Sequence, residues 1–319
     1  MLCLESRVYD SVQEMIGHTP MVRVHGFGLP EGVEIYAKLE FMNPGGSVKD
    51  RIGLEMLAAA EREGRLRPGG TVIEPTAGNT GIGIALAAVG RGYRLIFVVP
   101  EKFAMEKQEL MRALGGEIVH TPTSAGMAGA IRRAYELAAE IPGAVVLQQF
   151  RNPANPLAHF KTTGPEIYQQ LGGRLDVFVA GVGSGGTFTG CSLYLKARIP
   201  HLKAVAVEPE GSILRGGPAG SHETEGIGVE FIPDTLDTSL IDEVVTVPDA
   251  RAFQMVRELA QRCGLLVGSS SGAAFWAAWQ VAQRCVHPTR IAVIFPDSSE
   301  RYLSKGIYRK FSQNGEPKG

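Results

Sequence analysis

Short apolar runs rich in β-branched residues alternate with longer segments of helical periodicity along most of the chain. Short runs between turn residues predict strands, and apolar positions spaced three and four apart predict helices. The predicted strands are Glu34–Leu39, Thr71–Glu74, Leu95–Val99, Glu117–His120, Val145–Gln148, Val177–Ala180, Ala204–Glu208 and Ile291–Phe295. The predicted helices include Gly81–Val89, Glu106–Leu114, Met127–Ala139, Pro165–Gln170, Ala250–Cys263 and Gly272–Ala282.

This order of elements predicts the α/β fold class, with doubly wound, mainly parallel open sheets and helices on both faces. A length of 319 residues suits two domains better than one. The segment Gln148–Pro156 (QQFRNPANP) interrupts the alternation with prolines and asparagines, so we place the domain boundary there. Ligands of such sheets bind at the carboxyl ends of the strands.

Composition narrows the range of partners. Hydrophobic residues make up 44% of the chain, and the formal net charge of -1 provides no field that would attract nucleic acid or a membrane surface. The cysteines Cys3, Cys191, Cys263 and Cys285 are scattered, which predicts reduced thiols and no metal site. Charges near the N-terminus argue against an export signal, and we find no membrane-spanning stretch in the sequence. We therefore expect a cytoplasmic protein that binds small molecules.

Three strand-to-helix loops are rich in glycine and hydroxyl residues. In Thr76–Thr80 (TAGNT), backbone N–H groups and two threonine hydroxyls form an anion site sized for a carboxylate, although Asn79 is equally suited to cap the following helix. In Gly268–Gly272 (GSSSG), helix capping by the serines is the simplest interpretation.

The third loop, Gly181–Thr187, contains the pattern GxGxxG after a predicted strand and before a helix. With Glu208 about 20 residues further on, this pattern is compatible with a nicotinamide dehydrogenase. The extra N–H groups and hydroxyl of Gly185, Gly186 and Thr187 instead favour a cup for a single terminal phosphate. A third interpretation is that the glycines only permit close packing of strand and helix.

Lys49 occupies an unusual position for a cation. In Asn43–Arg51 (NPGGSVKDR) a tight turn leads to Ser47, a predicted N-cap, which puts Lys49 in the first helical turn. The helix dipole disfavours an ammonium group there. Lys49 is either a solvated surface lysine or an amine of lowered pKa, as a Schiff base with an aldehyde cofactor requires.

Taken together, the motifs resemble the pyridoxal-phosphate β-replacement family of cysteine synthases and cystathionine β-synthases. They are NPGGSVKDR, EPTAGNTGIGIALAA, QQFRNPANP, KTTGPEI, GVGSGGTFTG and GSSSGAA, and they occur in the family's order across nearly the whole chain. The resemblance implies a tryptophan synthase β-like fold with pyridoxal 5'-phosphate in the cleft between two domains. These would be a smaller, movable domain (35–150) that carries the substrate-carboxylate loop and a larger domain (1–34 plus 151–319) that carries the cofactor-phosphate loop.

The resemblance also implies residue roles. Lys49 would be the catalytic base and the Schiff-base lysine, Asn79 would bond the ring hydroxyl oxygen, and Ser270 would face the pyridine nitrogen. The phosphate would be held by Gly183, Ser184, Gly185, Gly186 and Thr187. The substrate carboxylate would be taken by Thr76, Ala77, Gly78, Thr80 and Gln148, and the loop with Gly226 would flank the site. A neutral serine is a weaker partner of the ring nitrogen than an aspartate, which favours expulsion of a β-leaving group over transamination.

The implied reaction joins the three-carbon unit of O-acetylserine or serine to a thiol. Asn155–His159, Glu208–Leu214 and Pro296–Ser298 resemble cystathionine β-synthases, whose acceptor is homocysteine, whereas Lys161–Ile167 and Glu300–Leu303 resemble cysteine synthases, whose acceptor is sulfide. Ala77 departs from the serine common in both groups. We expect no haem and no metal, a homodimer as is usual in the family, and serine acetyltransferase only as a possible partner. Outside the family, a nicotinamide dehydrogenase and a catalytically silent amino-acid-binding protein remain open.

Overall fold

A computed structural model describes residues 8–76, 78–101 and 105–311, which form two open β-sheets flanked by helices. The larger sheet has six strands in the order β1-β2-β10-β7-β8-β9. These strands are β1 Met21–Val24, β2 Val33–Leu39, β7 Val177–Gly181, β8 Lys203–Pro209, β9 Glu243–Val247 and β10 Thr289–Phe295. Only the β1–β2 pair is antiparallel among the pairs of this sheet.

The smaller sheet has four parallel strands in the order β5-β4-β3-β6. They are β3 Thr71–Pro75, β4 Arg94–Pro100, β5 Gly116–Thr121 and β6 Val145–Val146. The α-helices are α1 Lys49–Arg62, α2 Asn79–Ala88, α3 Met105–Ala113, α4 Gly126–Glu140, α5 Ala154–Lys161, α6 Thr163–Gln170, α7 Gly186–Lys196, α8 Asp249–Cys263 and α9 Ser269–Gln283. In the described part of the chain, no helix has the length and apolar character needed to cross a membrane.

Strand β10 shows why the larger sheet is covered on both faces. It pairs with β2 on one side and β7 on the other, and its residues from Ile291 to Phe295 are buried without interruption. Ile291, Val293 and Phe295 belong to one hydrophobic cluster, while Ala292 and Ile294 belong to the cluster on the opposite face. A continuous apolar run of this kind is typical of a parallel strand between two helical layers. The predicted α/β fold class with mainly parallel sheets is confirmed.

The structure adds elements that the pattern did not predict. Strands β1 and β9 are the edges of the larger sheet, where exposed positions weaken the apolar signal. Helix α5 begins inside Gln148–Pro156, because the N–H of Ala154 donates to Oδ1 of Asn152 at 2.9 Å and the prolines lie at the helix start. The predicted division at residue 35 falls within β2, a strand of the larger sheet, and the domain limits remain a prediction.

Helices α1 and α2 cross at two glycines. A Cβ atom on Gly53 would lie 2.3 Å from the carbonyl carbon of Gly83, and one on Gly83 would lie 2.4 Å from the carbonyl oxygen of Lys49. Any larger residue would therefore push the helices apart. This contact brings the first turns of α1 and α2, with Lys49 and Asn79, to one place.

A buried ionic network fastens α1 to the larger sheet. Arg51 donates to Glu40 at 2.7 and 2.8 Å and to Glu166 at 2.7 and 2.8 Å. Lys38, which is fully buried, donates to Glu166 at 2.6 Å and to the carbonyl oxygen of Thr19 at 2.6 Å. Burial by itself would raise the pKa of Glu166, but the hydrogen bonds and charges of Arg51 and Lys38 hold it at about 2. The network is ionised and fully paired.

Replacing Arg51 should destabilise the fold strongly. Arg51→Met leaves the buried Glu40 carboxylate without its guanidinium, and losing one partner of a buried pair costs about 3–5 kcal/mol. The matched control is Arg94→Met, since Arg94 pairs with Glu117 at the surface and such pairs contribute less than about 1 kcal/mol. Urea denaturation followed by circular dichroism measures both. Equal losses in the two variants would contradict this view of the network.

Candidate active site

One pocket collects residues from separate loops of the chain. It lies where the carboxyl end of the larger sheet meets the first turns of α1 and α2. Its lining consists of Val48, Lys49, Asn79, Gly181, Gly183, Ser184, Gly185, Thr187, Gly226, Ile227, Ser270, Ile294, Pro296 and Asp297. The lysine turn, the GxGxxG loop and the serine run, which are far apart in sequence, therefore share one space with Asn79 and Gly226.

Lys49 is the first residue of α1. The helix begins one residue later than predicted from Ser47, because Ser47 forms a bridge with Asp297 and Val48 is the N-cap. The hydroxyl of Ser47 still accepts the N–H of Lys49 at 3.2 Å, and the N–H of Val48 donates to the carbonyl of Pro296 at 2.9 Å. The start of α1 is thus tied to the end of β10.

The Lys49 amine lies in an environment that disfavours its charge. Burial lowers its pKa to about 8, and the charge of Asp297 opposes this shift only in part. Within residues 8–76, 78–101 and 105–311, no hydrogen bond or ion pair reaches its Nζ atom. Lys49 is half-buried in the wall of the pocket, and its lowered pKa favours the amine of a Schiff-base lysine over a solvated surface lysine.

Asn79 is held at both ends of its side-chain amide. Its Nδ2 donates to Oδ2 of Asp297 at 2.7 Å, and its Oδ1 accepts from Nη1 of Arg301 at 2.7 Å. The Tyr302 hydroxyl also donates to Oδ2 of Asp297, whereas Oδ1 of Asp297 is buried without a hydrogen-bond partner among the described residues. Burial raises the pKa of Asp297. One Nδ2 hydrogen of Asn79 remains for a ligand.

Sequence analysis assigned no role to Asp297, although it lines the pocket and positions Asn79. Its only signal was its place in the family-like motif Pro296–Ser298. Asp297 and Asn79 are separated by 218 residues, so only the assembled fold brings them into contact.

The loop Gly181–Thr187 forms a cup at the start of α7. A Cβ atom on Gly183 would lie 2.4 Å from the carbonyl oxygen of Gly226, and Gly185 has a φ of +82°, which favours glycine. The first N–H groups of α7 have no partners within the helix and carry the positive end of its dipole. Ser184 and Thr187, which carry hydroxyls, line the same pocket. This geometry fits a phosphate group.

Ser270 lies opposite the cup in the first turn of α9. It is buried, and a Cβ atom on Gly226 would lie 3.9 Å from its hydroxyl oxygen. The predicted capping of α9 by the serine run is wrong, because Gly268 is the N-cap and no side chain caps the helix. Ser269 instead accepts the N–H of Glu225 at 3.0 Å.

Glu208 is not available to a dinucleotide. Its carboxylate accepts the N–H groups of Leu214 and Arg215 at 2.9 and 3.1 Å and the hydroxyl of Thr246 at 3.0 Å. The side chain is buried and stabilises the turn that follows β8. The hypothesis of a ribose-binding acid, and with it the dehydrogenase, is therefore wrong.

The predicted carboxylate-binding residues lie beside this pocket. Thr76, Gly78 and Thr80 follow β3, and Gln148 follows the neighbouring strand β6, but these four residues do not line the pocket. Ala77 is outside the described residues. Gly186, the remaining predicted phosphate ligand, lies behind the cup next to Asn155.

The buried carboxylate of Glu74 holds the backbone near Gln148, one of the predicted carboxylate-binding residues. Glu74 accepts the N–H groups of Gln148 and Gln149 at 2.8 and 3.1 Å, and burial raises its pKa to about 7. Gln148 has a φ of +60°, and Gln149 accepts the Thr80 hydroxyl at 2.7 Å. Glu74 thereby couples the TAGNT loop to Gln148. Sequence analysis missed this function, since a glutamate inside a strand carries no signal of its backbone partners.

The residues of the pocket fit pyridoxal phosphate as a group. The pocket brings together the Lys49 amine, the phosphate cup, the Asn79 amide with its free hydrogen, and the neutral hydroxyl of Ser270. The family model described as pyridoxal-phosphate dependent enzyme matches residues 12–297, so the chain belongs to this enzyme family. The predictions of the family, of an enzyme and of pyridoxal phosphate as cofactor are confirmed.

Named relatives are similar over almost their entire length. The chain is 52% identical over 301 residues to the O-acetylserine dependent cystathionine beta-synthase of Bacillus subtilis, covering 94% of this chain and 98% of that protein. It is 52% identical over 303 residues to a cysteine synthase of Helicobacter pylori, covering 94% and 99%. The crystal structure of O-acetylserine dependent cystathionine beta-synthase from Helicobacter pylori superposes with a TM-score of 0.90 at 52% identity, covering 95% and 99%.

The reactivity of Lys49 should titrate well below that of an ordinary lysine. In the cofactor-free protein, acetylation of Lys49 should rise with a midpoint near pH 8, because only the neutral amine attacks and burial lowers its pKa to about 8. Brief exposure to acetic anhydride and mass spectrometry of the Lys49 peptide measure this. Asp297→Asn should shift the midpoint to lower pH, because the Asp297 charge favours the ammonium form. A midpoint near the ordinary value of 10.5 would show that the environment of Lys49 does not lower its pKa.

Proposed function

We propose that this enzyme is a cystathionine β-synthase that joins the three-carbon unit of O-acetylserine or serine to homocysteine. The observation that carries the proposal is the half-buried, unpaired Lys49 amine, which shares one pocket with a phosphate cup and a neutral serine. Similarity to the relatives named above supports the choice of substrates. A cysteine synthase that uses sulfide as the acceptor is the second candidate, and the Helicobacter pylori relative supports it.

Each residue of the pocket has a distinct task in this proposal. Pyridoxal phosphate would be held by Lys49 at rest, and on transfer to the substrate amine it would supply electron withdrawal at the substrate Cα atom and leave the Lys49 amine free. The Lys49 amine, with a pKa of about 8, accepts the Cα proton at Nζ and can return it later in the cycle. Backbone N–H groups and hydroxyls of Gly183–Thr187 hold the phosphate, and the free Nδ2 hydrogen of Asn79 bonds the ring hydroxyl oxygen.

Ser270 determines which reaction is favoured. Its hydroxyl is neutral, so it does not hold a proton on the ring nitrogen as a carboxylate would. Electron withdrawal is therefore moderate, which favours rapid loss of acetate or water from Cβ over transamination. The thiol then adds to Cβ, and the same residues bind the product.

The substrate carboxylate is held by the TAGNT loop (Thr76–Thr80) and Gln148 in this proposal. Because Thr76, Gly78, Thr80 and Gln148 lie beside the pocket, the unit built on the smaller sheet has to close over it, which also excludes water from the reacting carbons. Lys107 on α3 forms an ion pair with Glu225 at 3.1 Å, so that unit already contacts the loop next to Gly226, and closure would have to keep or replace this contact. We propose 35–150 and 1–34 plus 151–319 as the two parts, with the remainder of β2 up to Leu39 staying with the larger sheet, to which it is hydrogen-bonded.

The proposed assembly is a homodimer in the cytoplasm. Leu157 and Phe160 on α5 and Leu193 on α7 are large apolar side chains with 36–40% exposure on neighbouring helices, which supports a contact with a second copy. Sedimentation equilibrium should give the mass of two chains. A mass of one chain at micromolar concentration would contradict the dimer.

Absorbance spectroscopy tests the reaction and identifies the acceptor. The purified protein with pyridoxal phosphate should show a visible band that O-acetylserine shifts and that homocysteine then restores, with cystathionine as the product. Lys49→Ala should abolish this cycle and lower turnover by at least about 10²–10⁴-fold, since it removes the general base. Lys203→Ala, at an exposed position on β8, is the matched control.

The alternative outcomes separate the candidates. Restoration of the band by sulfide alone, with cysteine as the product, would refute the cystathionine β-synthase and support the cysteine synthase. A protein that takes up no pyridoxal phosphate would refute both.

A further inference from the structure

Helix α5 packs against α7 immediately behind the phosphate cup. Asn155 and His159 are four residues apart on α5, are completely buried, and face α7. Gly186 and Gly190, also four residues apart, form the opposing face of α7. A Cβ atom on Gly186 would lie 1.9 Å from Oδ1 of Asn155, and one on Gly190 would lie 2.8 Å from Cβ of His159. The two glycines thus allow two polar side chains to reach the cup from behind.

Asn155 donates to the hydroxyl of Ser184. Its Nδ2 lies 3.0 Å from Oγ of Ser184 and 2.7 Å from the carbonyl oxygen of Gln149. The carbonyl fixes the orientation of the amide, because the reversed amide would place two acceptor oxygens against each other. This orientation persists although Oδ1 of Asn155 has no partner among the described residues. Ser184 therefore accepts from Asn155 and directs its own hydrogen elsewhere.

His159 contacts the hydroxyl of Thr187 in the same way. Its Nε2 lies 3.1 Å from Oγ1 of Thr187, and its Nδ1 lies 2.8 Å from Oγ1 of Thr163. Burial, followed by the positive charges of Arg51 and Lys49, lowers the pKa of His159 well below its usual range, so the ring is neutral.

The neutral ring has one donor and one acceptor nitrogen, and its contact with Thr163 determines the tautomer. Thr163 is fully buried, and among the described residues its hydroxyl has only His159 as a hydrogen-bond partner. A buried hydroxyl donates where it can, so Thr163 donates to Nδ1 and the ring hydrogen is on Nε2. Thr187 then accepts from Nε2, and its own hydrogen is free to face the pocket.

We infer that Asn155 and His159 are positioning residues that turn the Ser184 and Thr187 hydroxyls into hydrogen donors for a fully ionised phosphate. A phosphate dianion offers only acceptors, so a hydroxyl that presents its hydrogen binds it, whereas one that presents a lone pair repels it. The inference rests on the proposed function, because it takes the phosphate to be that of pyridoxal phosphate. Residues of α5 are thus responsible for the preference of the cup for a doubly charged phosphate.

Binding of two probes isolates the contribution of the phosphate. Pyridoxal phosphate and pyridoxal both react with Lys49 but differ in the phosphate. His159→Leu should weaken binding of pyridoxal phosphate by about 10–100-fold, as expected for a hydrogen bond to a charged group, and should leave binding of pyridoxal within about twofold. His159→Gln restores an N–H donor and should stay within about threefold of the native protein. Thr163→Val should give an intermediate loss, since it frees the ring to adopt either tautomer.

Two results with these variants would overturn the inference. One is an equal loss of pyridoxal and pyridoxal phosphate in His159→Leu, which would indicate general damage to the site. The other is a loss in His159→Gln as large as that in His159→Leu, which would exclude the donor as the cause.

The tautomer can also be observed directly in the native holoenzyme, which needs no variant to fold. ¹⁵N NMR of His159 should show a protonated Nε2 and an unprotonated Nδ1 from about pH 6 to about pH 9, because burial keeps the ring neutral across the range in which an exposed histidine titrates. A hydrogen on Nδ1 would overturn the inference. A native protein that binds pyridoxal phosphate with its visible band while His159→Leu binds it equally well would refute the inference but not the proposed function.

Discussion

The backbone contact between α1 and α2 is the constraint on which the site depends. Gly53 and Gly83 let the two helices touch without side chains between them, so the turns that begin with Lys49 and Asn79 reach the same pocket. The wall of the pocket formed by the end of β10 and the residues after it is hydrogen-bonded to both helices. The start of α1 is bonded to the end of β10, and Asn79 is bonded to Asp297 just beyond that strand.

Two basic residues in the first turn of α1 have opposite electrostatic environments. Arg51 is surrounded by the carboxylates of Glu40 and Glu166 and stays charged, whereas Lys49 has no paired carboxylate and loses stability as a cation. The difference follows from which side of the helix each residue faces. The fully paired guanidinium anchors the helix, whereas the amine two residues earlier is unpaired and has a lowered pKa. Structural and chemical roles are thus divided between neighbouring residues.

The prediction from sequence was accurate where local pattern carries the information. Strand-loop-helix alternation predicted the α/β class, and glycine and hydroxyl residues between strand and helix predicted the loops that line the pocket. It failed where a residue has its partners elsewhere in the fold. Glu208 had the spacing of a ribose-binding acid, yet its carboxylate binds two backbone N–H groups and a threonine. The prolines and asparagines of Gln148–Pro156 indicated a domain boundary, which stays a prediction, and the structure adds that α5 begins inside this segment.

Periodicity and glycine spacing are local properties of the chain, and they were enough to predict the fold class and the loops of the site. The family and the cofactor were predicted from the resemblance of an ordered set of motifs. The protonation and hydrogen bonding of the residues in those loops could not be predicted in this way, because they depend on contacts made in the folded chain. Four features arise between residues that are distant in sequence. They are the hydrogen bond of Asn79 to Asp297, the lowered pKa of Lys49, the hydrogen bond of the Gln148 N–H to Glu74, and the hydrogen-bond roles of His159. Burial and hydrogen-bond geometry exist only after packing, so no local pattern could have specified them.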